Sequence, residues 1–482
     1  MENDSLKRKA ASGMLWGGLS NGAMQVMGAL FGLVLMRLLS PSDYGKVAML
    51  NIFAALACAI QESGFIPALC NRRNPTHEEY NAVFWFNLLA SLSLYAMLWV
   101  AAPWIADFYG DPDLTGLARY LFLGFLLSGL GTVQRAYLFG HLMVRQANTC
   151  SLVSMLLSSV VGVVMAWHGF AYWGIVTQSV MYVLVVQLMS WHYSPWRPSM
   201  HIDLRPALGM LGFSSRLMLT NVFNILNNHA FSVLLGKCFD SHTAGVYTTA
   251  RKWDDMASGT VNGMVSGVAQ PTLAQVADDR GRYVNVFRKM LRFASFVSFP
   301  AMTGLALIAR EFIILVGGEK WAESGTVLAM LCMHGAFVPI STLYSSLMVS
   351  RGRSDVNMGC TVGQSFVTWG GLIALYPYGL HAMVLYFVAA SVAWLLVWQW
   401  WAKRLVGLRW RDALSDTLPF LAFSVVVMWG TWLATSGIRI PILLLSCRIG
   451  MAATLYCALT WLSGARIMRE SVQYLLRRGR TE

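Results

Sequence analysis

Charge is what this sequence has least of. Only 12% of its 482 residues are charged, where soluble domains carry about a quarter. An ordinary soluble globular chain is thereby excluded. Cysteine is present eight times (Cys58, Cys70, Cys150, Cys238, Cys332, Cys360, Cys447 and Cys457) but never as a CxxC pair. Neither a zinc site nor a disulfide framework is signalled, and small buried hydrophobes are the simpler role for these thiols. No ten-residue alternation of the kind a membrane barrel needs is visible. No small-residue cleavage site follows the first apolar run, which is too long for a signal peptide and is expected to stay as an anchor.

What fills the chain is apolar. Hydrophobic residues make up 56% and the mean hydropathy is +0.53. A bilayer core about 30 Å thick takes roughly 20 apolar residues as a helix. By that rule the sequence holds about fourteen spans, near 12–36, 46–66, 81–105, 117–138, 150–168, 171–191, 208–235, 245–270, 291–315, 325–349, 358–376, 380–402, 417–435 and 441–463. The expected fold is an all-α polytopic membrane protein.

The net charge of +13 invites a nucleic-acid partner, and its distribution argues against one. Clusters such as Lys7-Arg8-Lys9, Arg72-Arg73, Arg288-Lys289, Arg351/Arg353, Lys403-Arg404 and Arg477-Arg478 fall on one set of alternate connections. The other set carries only Arg37, Lys46, Lys237, Lys320 and Arg439, with the acids Asp107, Asp111, Asp113 and Asp240. This is the positive-inside pattern. It places both termini in the cytoplasm and assigns most of the positive charge to topology.

The stretch MRLLSPSDYGKVAML (36–50) turns the chain between two apolar runs. Ser40-Pro41-Ser42-Asp43 reads as a helix start, with Ser as N-cap, Pro at the first helical position and Asp three residues after the cap. The device recurs in LGKCFDSHTAGVY (235–247), where Lys237, Asp240 and Gly245 stand for Arg37, Ser40 and Gly45. Gly110-Asp111 likewise matches Gly318-Glu319, Gly169 matches Gly379, and Leu142-Met143-Val144 matches Leu347-Met348-Val349. Four matches in order at near-constant offset predict two six-span copies of equal orientation, related by a pseudo-two-fold along the membrane normal, with a substrate site between them. The expected organisation is a first lobe (1–200), a second lobe (201–410), an extra helix pair (411–463) and a basic tail (464–482).

The motifs LLSPSDYG, AAPWIADFYGDPDL, SPWRP (194–198), GVYTTARKW (245–253), QPTLAQVADD (270–279) and GGEKW (317–321) occur in that order. Together they resemble Wzx-type polysaccharide flippases, the WzxC-like branch of the multidrug/oligosaccharidyl-lipid/polysaccharide (MOP) superfamily. The resemblance spans roughly residues 10 to 410. It implies two six-helix lobes around a central cavity, alternating access, and an undecaprenyl-diphosphate-linked oligosaccharide moved to the outer leaflet of a Gram-negative inner membrane. It implies no enzyme chemistry and no cofactor. Two departures stand out. Many relatives have an Asp where Phe231 follows Asn228 and His229, and often a Phe where Gln270 precedes Pro271.

Ionisable residues inside spans are costly and so are functional candidates. At 1.5 Å per residue, Arg216 lies roughly 15 Å from the inner end of its span and Arg251 roughly 16 Å from the outer side. Either could receive a diphosphate. Arg251 could equally pair with Asp254 or Asp255 at i+3 and i+4. Lys252, Asn221, Asn224 and Gln270 complete the candidate substrate-binding set. Asp254, Asp255 and Glu62 are the weaker candidates for coupling to a proton or sodium ion; Glu62 near a span end also suits a solvated interface. The small residues from Ser258 to Gly267 either line a wet path or pack helices closely. The expected partners are a lipid-linked oligosaccharide and membrane lipid, with a monomer as the transport unit. A cation-coupled drug antiporter of the same superfamily would prefer midplane acids, and Asp254 and Asp255 keep it open. A glycan polymerase or ligase would need a larger outer loop, and no outer connection exceeds about a dozen residues or gathers a nucleophile–base pair.

Overall fold

In the computed structural model the described residues are 2–62, 65, 69, 75–141, 143–207, 222, 225, 226, 229, 231–276, 279–438 and 440–463, with backbone alone at 2–15, 17–19, 61, 62 and 280. Contacts divide the chain into two compact units, Met1–Gly245 and Val246–Glu482.

The first unit holds α1 (Glu2–Leu38), α2 (Pro41–Glu62), α3 (His77–Tyr109), α4 (Asp113–Gly129), α5 (Thr132–Gly140), α6 (Val144–Trp167) and α7 (Tyr172–Tyr193). Residues 231–238 are helical too. The helix α8 (Ser241–Gln275) starts in this unit and runs into the second, which continues with α9 (Arg280–Gly317), α10 (Ala322–Gly335), α11 (Val338–Ser350), α12 (Ser354–Leu375), α13 (Leu380–Val406), α14 (Trp410–Thr435) and α15 (Pro441–Leu462). Thirteen of the fourteen expected spans coincide with these helices. The seventh, 208–235, lies mostly outside the described residues. Among the described residues ten helices are long and apolar enough to cross a membrane, or eleven when the bent pair α4–α5 counts as one span. The chain is a multi-pass membrane protein.

The helix starts form where the sequence places them. Ser40 donates its N–H and its hydroxyl to Asp43 Oδ2 at 2.8 and 2.7 Å, and Asp43 N–H returns to Ser40 Oγ at 3.3 Å. Two backbone donors of the helix start are thus satisfied within the turn, so the reversal needs few residues. Asp240 does the same for α8, accepting from Thr243 N–H at 2.8 Å. Burial opposes charge on the Asp240 carboxyl, but the Thr243 N–H and hydroxyl and nearby His242 outweigh it, holding the group below the ordinary carboxylate range.

Several paired turns share geometry. Gly110 and Gly318 have φ of 73° and 90°, Gly169 and Gly379 of 83° and 88°, values that exclude most side chains. Each unit also breaks one expected span: α4 ends at Gly129 before α5, with a 45° bend, and α10 ends at Gly335 before α11. In the first case a Cβ on Gly129 would strike Ser91 Oγ and one on Gly131 would strike Gln187. The inner match needs correction. Met143 N–H bonds Leu138 O at 2.8 Å as Arg353 N–H bonds Met348 O at 3.0 Å. Met143 therefore corresponds to Arg353, while Leu347-Met348-Val349 lies inside α11.

Packing repeats as well. In the first unit α3 lies on α4, α4 on α7 and α6 on α7; in the second α9 lies on α10, α10 on α13 and α12 on α13. The SPWRP segment is pinned to α3. Trp196 sits in a core cluster with Tyr80, Phe84 and Val133, and Asn81 Oδ1 accepts from Ser199 N–H at 2.9 Å. Inside the first unit, the opening turns of α2 and α8 cross reciprocally. A Cβ on Gly45 would collide with Ser241 O, and one on Gly245 with Pro41 O. Position i meets j and the repeat mate of j meets the mate of i, which is the signature of a two-fold contact.

The extra pair α14–α15 is fastened to α9 by ions. Arg288 donates to Asp416 through Nε at 2.6 Å and Nη2 at 3.2 Å, and lies 3.1 Å from Asp412. Arg448, 5% exposed, donates to Glu311 at 2.8 Å, to Leu307 O at 3.0 Å and to Thr435 Oγ1 at 3.2 Å. Residues this costly in an apolar setting persist only when paired.

Candidate functional site

The charged segment of α8, Arg251-Lys252-Trp253-Asp254-Asp255, lies in the second unit. Helical spacing of about 100° per residue distributes it over three directions. Arg251 and Asp255 share a face and pair, Nε to Oδ1 at 3.0 Å and to Oδ2 at 3.1 Å. Their side chains are 29% and 55% exposed. Trp253 turns toward α9 and meets the Phe312 ring edge-on at 5.1 Å. Lys252 is exposed. Tyr247, one turn earlier, is buried.

Asp254 is different. It is fully buried, at 0% exposure, and among the described residues neither carboxylate oxygen has a hydrogen-bond partner. A Cβ on Gly335 of α10 would collide with its Oδ1 and with the Met302 methyl of α9, within 2.5 Å of the latter. The glycine is what makes room for the carboxylate. Two further polar atoms nearby are buried and unpartnered: Arg251 Nη1 and His334 Nδ1. Phe387 of α13 links them, its ring 5.8 Å from the Arg251 guanidinium and 4.8 Å from the His334 ring. The expectation that Arg251 pairs with one of the two acids is met by Asp255, not by Asp254.

Below this cluster one face of α8 is polar, small and open. Asp255, Gly259, Gly263, Gly267 and Gln270 follow at spacings of three to four residues and are exposed, with Thr260 and Ser266 alongside. A Cβ at Gly259, Gly263 or Gly267 would meet no described atom within 4 Å. Close packing against described helices therefore does not account for these glycines. A stripe without side chains, bordered by hydroxyls and headed by a guanidinium, can pass a bulky polar group and hold an anion.

Arg216, Asn221 and Asn224 lie outside the described residues, and Glu62 is the last residue of α2 with its side chain likewise outside them. Among the described residues no group of three or more His, Cys, Asp or Glu could hold a metal ion. Sequence reasoning passed over two features. Gly335 carries no signal without its neighbour Asp254, and Arg448 was hidden in the apolar run PILLLSCRIG, where a lone Arg should itself have been the signal.

A model of a family described as "Polysaccharide biosynthesis protein" matches residues 34–326. The lipopolysaccharide biosynthesis protein WzxC of Escherichia coli (strain K12) is 24% identical over 369 residues, 75% of this chain and 74% of that protein. The succinoglycan biosynthesis transport protein ExoT of Rhizobium meliloti (strain 1021) is 26% identical over 389 residues, 80% of this chain and 77% of that protein. Among solved structures, the lipid II flippase MurJ in an inward closed conformation aligns with a TM-score of 0.76 at 14% identity, covering 95% of this chain and all of that one.

Proposed function

Because the chain belongs to the polysaccharide biosynthesis protein family, we propose that it is a flippase for lipid-linked oligosaccharide. Its substrate is an undecaprenyl-diphosphate-linked oligosaccharide, carried from the cytoplasmic to the periplasmic leaflet of a bacterial inner membrane by alternating access, for surface polysaccharide assembly. It is a transporter and not an enzyme. Both termini face the cytoplasm, in line with the charge asymmetry, and the monomer is the transport unit.

The observation that carries this reading is the open stripe of α8 beneath Arg251. A glycan crossing a bilayer needs a wet, sterically bare path, and its diphosphate needs a cation. Arg251 and Lys252 are the described cations proposed to meet the diphosphate, with Arg216 joining them from the seventh span. Gln270, Asn221 and Asn224 are proposed to contact the sugars. If an ion is coupled, a proton or sodium, then Asp254, Asp255 and Glu62 are the acids that could carry it.

Deleting the gene tests the reading. Surface polysaccharide should fall, and undecaprenyl-diphosphate-linked oligosaccharide should accumulate on the cytoplasmic side. Unchanged polysaccharide together with heightened sensitivity to cationic drugs would instead identify an antiporter.

A further inference from the structure

Arg251 has two acids within one helical turn and pairs with one of them. Its Nε is bound to Asp255, four residues on, while its buried Nη1 has no partner. Asp254, three residues on, is buried with both oxygens unpartnered. Side chains at i, i+3 and i, i+4 are neighbours on a helix, so a change of Arg251 rotamer would join the two orphans. A buried acceptor and a buried donor left unsatisfied three residues apart on one helix each cost free energy, and such groups call for a role.

We propose that Asp254 is a release residue, an internal carboxylate that takes the Arg251 guanidinium back from the substrate diphosphate. The inference rests on the flippase reading and assigns a step within it. With substrate bound, the guanidinium's free edge serves phosphate oxygens. As substrate leaves, the guanidinium swings to Asp254, and the negative charge already fixed in the protein replaces the charge departing. A carrier that bound the diphosphate through a permanent cation with no internal competitor would hold it too tightly to turn over.

The surroundings suit an acceptor more than an ion site. Gly335 leaves Asp254 its space, and the Met302 methyl lies beside it. Neither supplies the side-chain oxygens a sodium ion would need. The titratable and charged groups in electrostatic reach are Tyr247, Arg251 and Asp255 on α8 and Cys332 on α10; His334 on α10 senses Arg251. Of these, only Arg251 combines a permanent positive charge with a buried, unpartnered donor, on a residue within one helical turn of Asp254.

The test measures binding and turnover separately, in nanodiscs with undecaprenyl diphosphate and in proteoliposomes with undecaprenyl diphosphate bearing one labelled sugar. Asp254→Asn should bind undecaprenyl diphosphate at least tenfold tighter and flip the labelled lipid at least tenfold more slowly. A merely structural role would lower both stability and flipping without tightening binding. Asp254→Glu, which extends the charge toward Arg251, should weaken binding by a similar factor, so the idea survives a failure of the Asn variant to fold. Asp355→Asn, at an exposed ion pair with Arg353 at the start of α12 and outside the site, should change either quantity less than threefold. Equal or weaker binding by Asp254→Asn would overturn the assignment. So would flipping that merely becomes indifferent to an imposed pH gradient at unchanged affinity, which would make Asp254 a proton carrier. Wild-type protein that binds no undecaprenyl diphosphate would overturn the flippase reading beneath it.

Discussion

Asp416→Asn should weaken the attachment of α14 to α9 while keeping the shape of the side chain. The carboxylate is 5% exposed and accepts from Arg288 at 2.6 and 3.2 Å, with Arg292 Nε 3.4 Å away. Removing one partner of a buried ion pair costs about 3–5 kcal/mol, mostly through the charge left behind. Here the penalty is softened twice. Arg288 is 27% exposed, and it keeps Asp412 at 3.1 Å. A loss of about 2 kcal/mol is therefore expected. Unfolding in mixed micelles, followed by tryptophan fluorescence, would measure it. The double variant Arg288→Met, Asp416→Leu should recover most of the loss, because apolar side chains of similar volume replace such pairs at little cost. A change below about 0.5 kcal/mol for Asp416→Asn would refute the view that these ions fasten the extra pair to the second unit.

Three further perturbations probe other parts. Ser40→Ala removes the cap of α2 and should cost about 1 kcal/mol, leaving flipping per folded molecule near normal; unequal loss of activity and protein level would show that this turn touches substrate. Gly45→Ala and Gly245→Ala each force a methyl against a carbonyl oxygen and should each cost about 1–3 kcal/mol; because they disturb one reciprocal contact, the double variant should cost much less than the sum, and additive losses would contradict that contact. In a cysteine-less background Glu319→Cys should react with an impermeant thiol reagent added outside intact cells and Asn285→Cys should not; the opposite result would invert the topology.

The sequence made the architecture legible because bilayers impose two strong signals, span length and charge asymmetry. The repeat was legible for another reason: Gly110, Gly169 and Gly379 answer to backbone geometry, which tolerates few substitutes. The inner match failed because Leu-Met-Val runs are common in apolar helices and carry no such constraint, whereas the hydrogen bonds of Met143 and Arg353 do. In the candidate site, the i, i+3 and i, i+4 spacing announced that Arg251 would have an acid, and could not say which. The burial of Asp254 rests on α10, where Gly335 leaves room for its carboxylate. Tertiary contacts of this kind leave no periodic trace. The roles proposed for Lys252 and Gln270 rest on the exposed face of α8, which the described neighbouring helices leave open.

The proposed function is the movement of a diphosphate-linked glycolipid between leaflets. The most direct test reconstitutes the purified chain in liposomes that hold the cognate undecaprenyl-diphosphate oligosaccharide, fluorescently labelled on its sugar. An impermeant quencher is then added outside. With wild-type protein the lipid of both leaflets should become quenchable, and with Arg251→Gln only the outer-leaflet share. Quenching with wild-type protein no greater than in protein-free liposomes would contradict it.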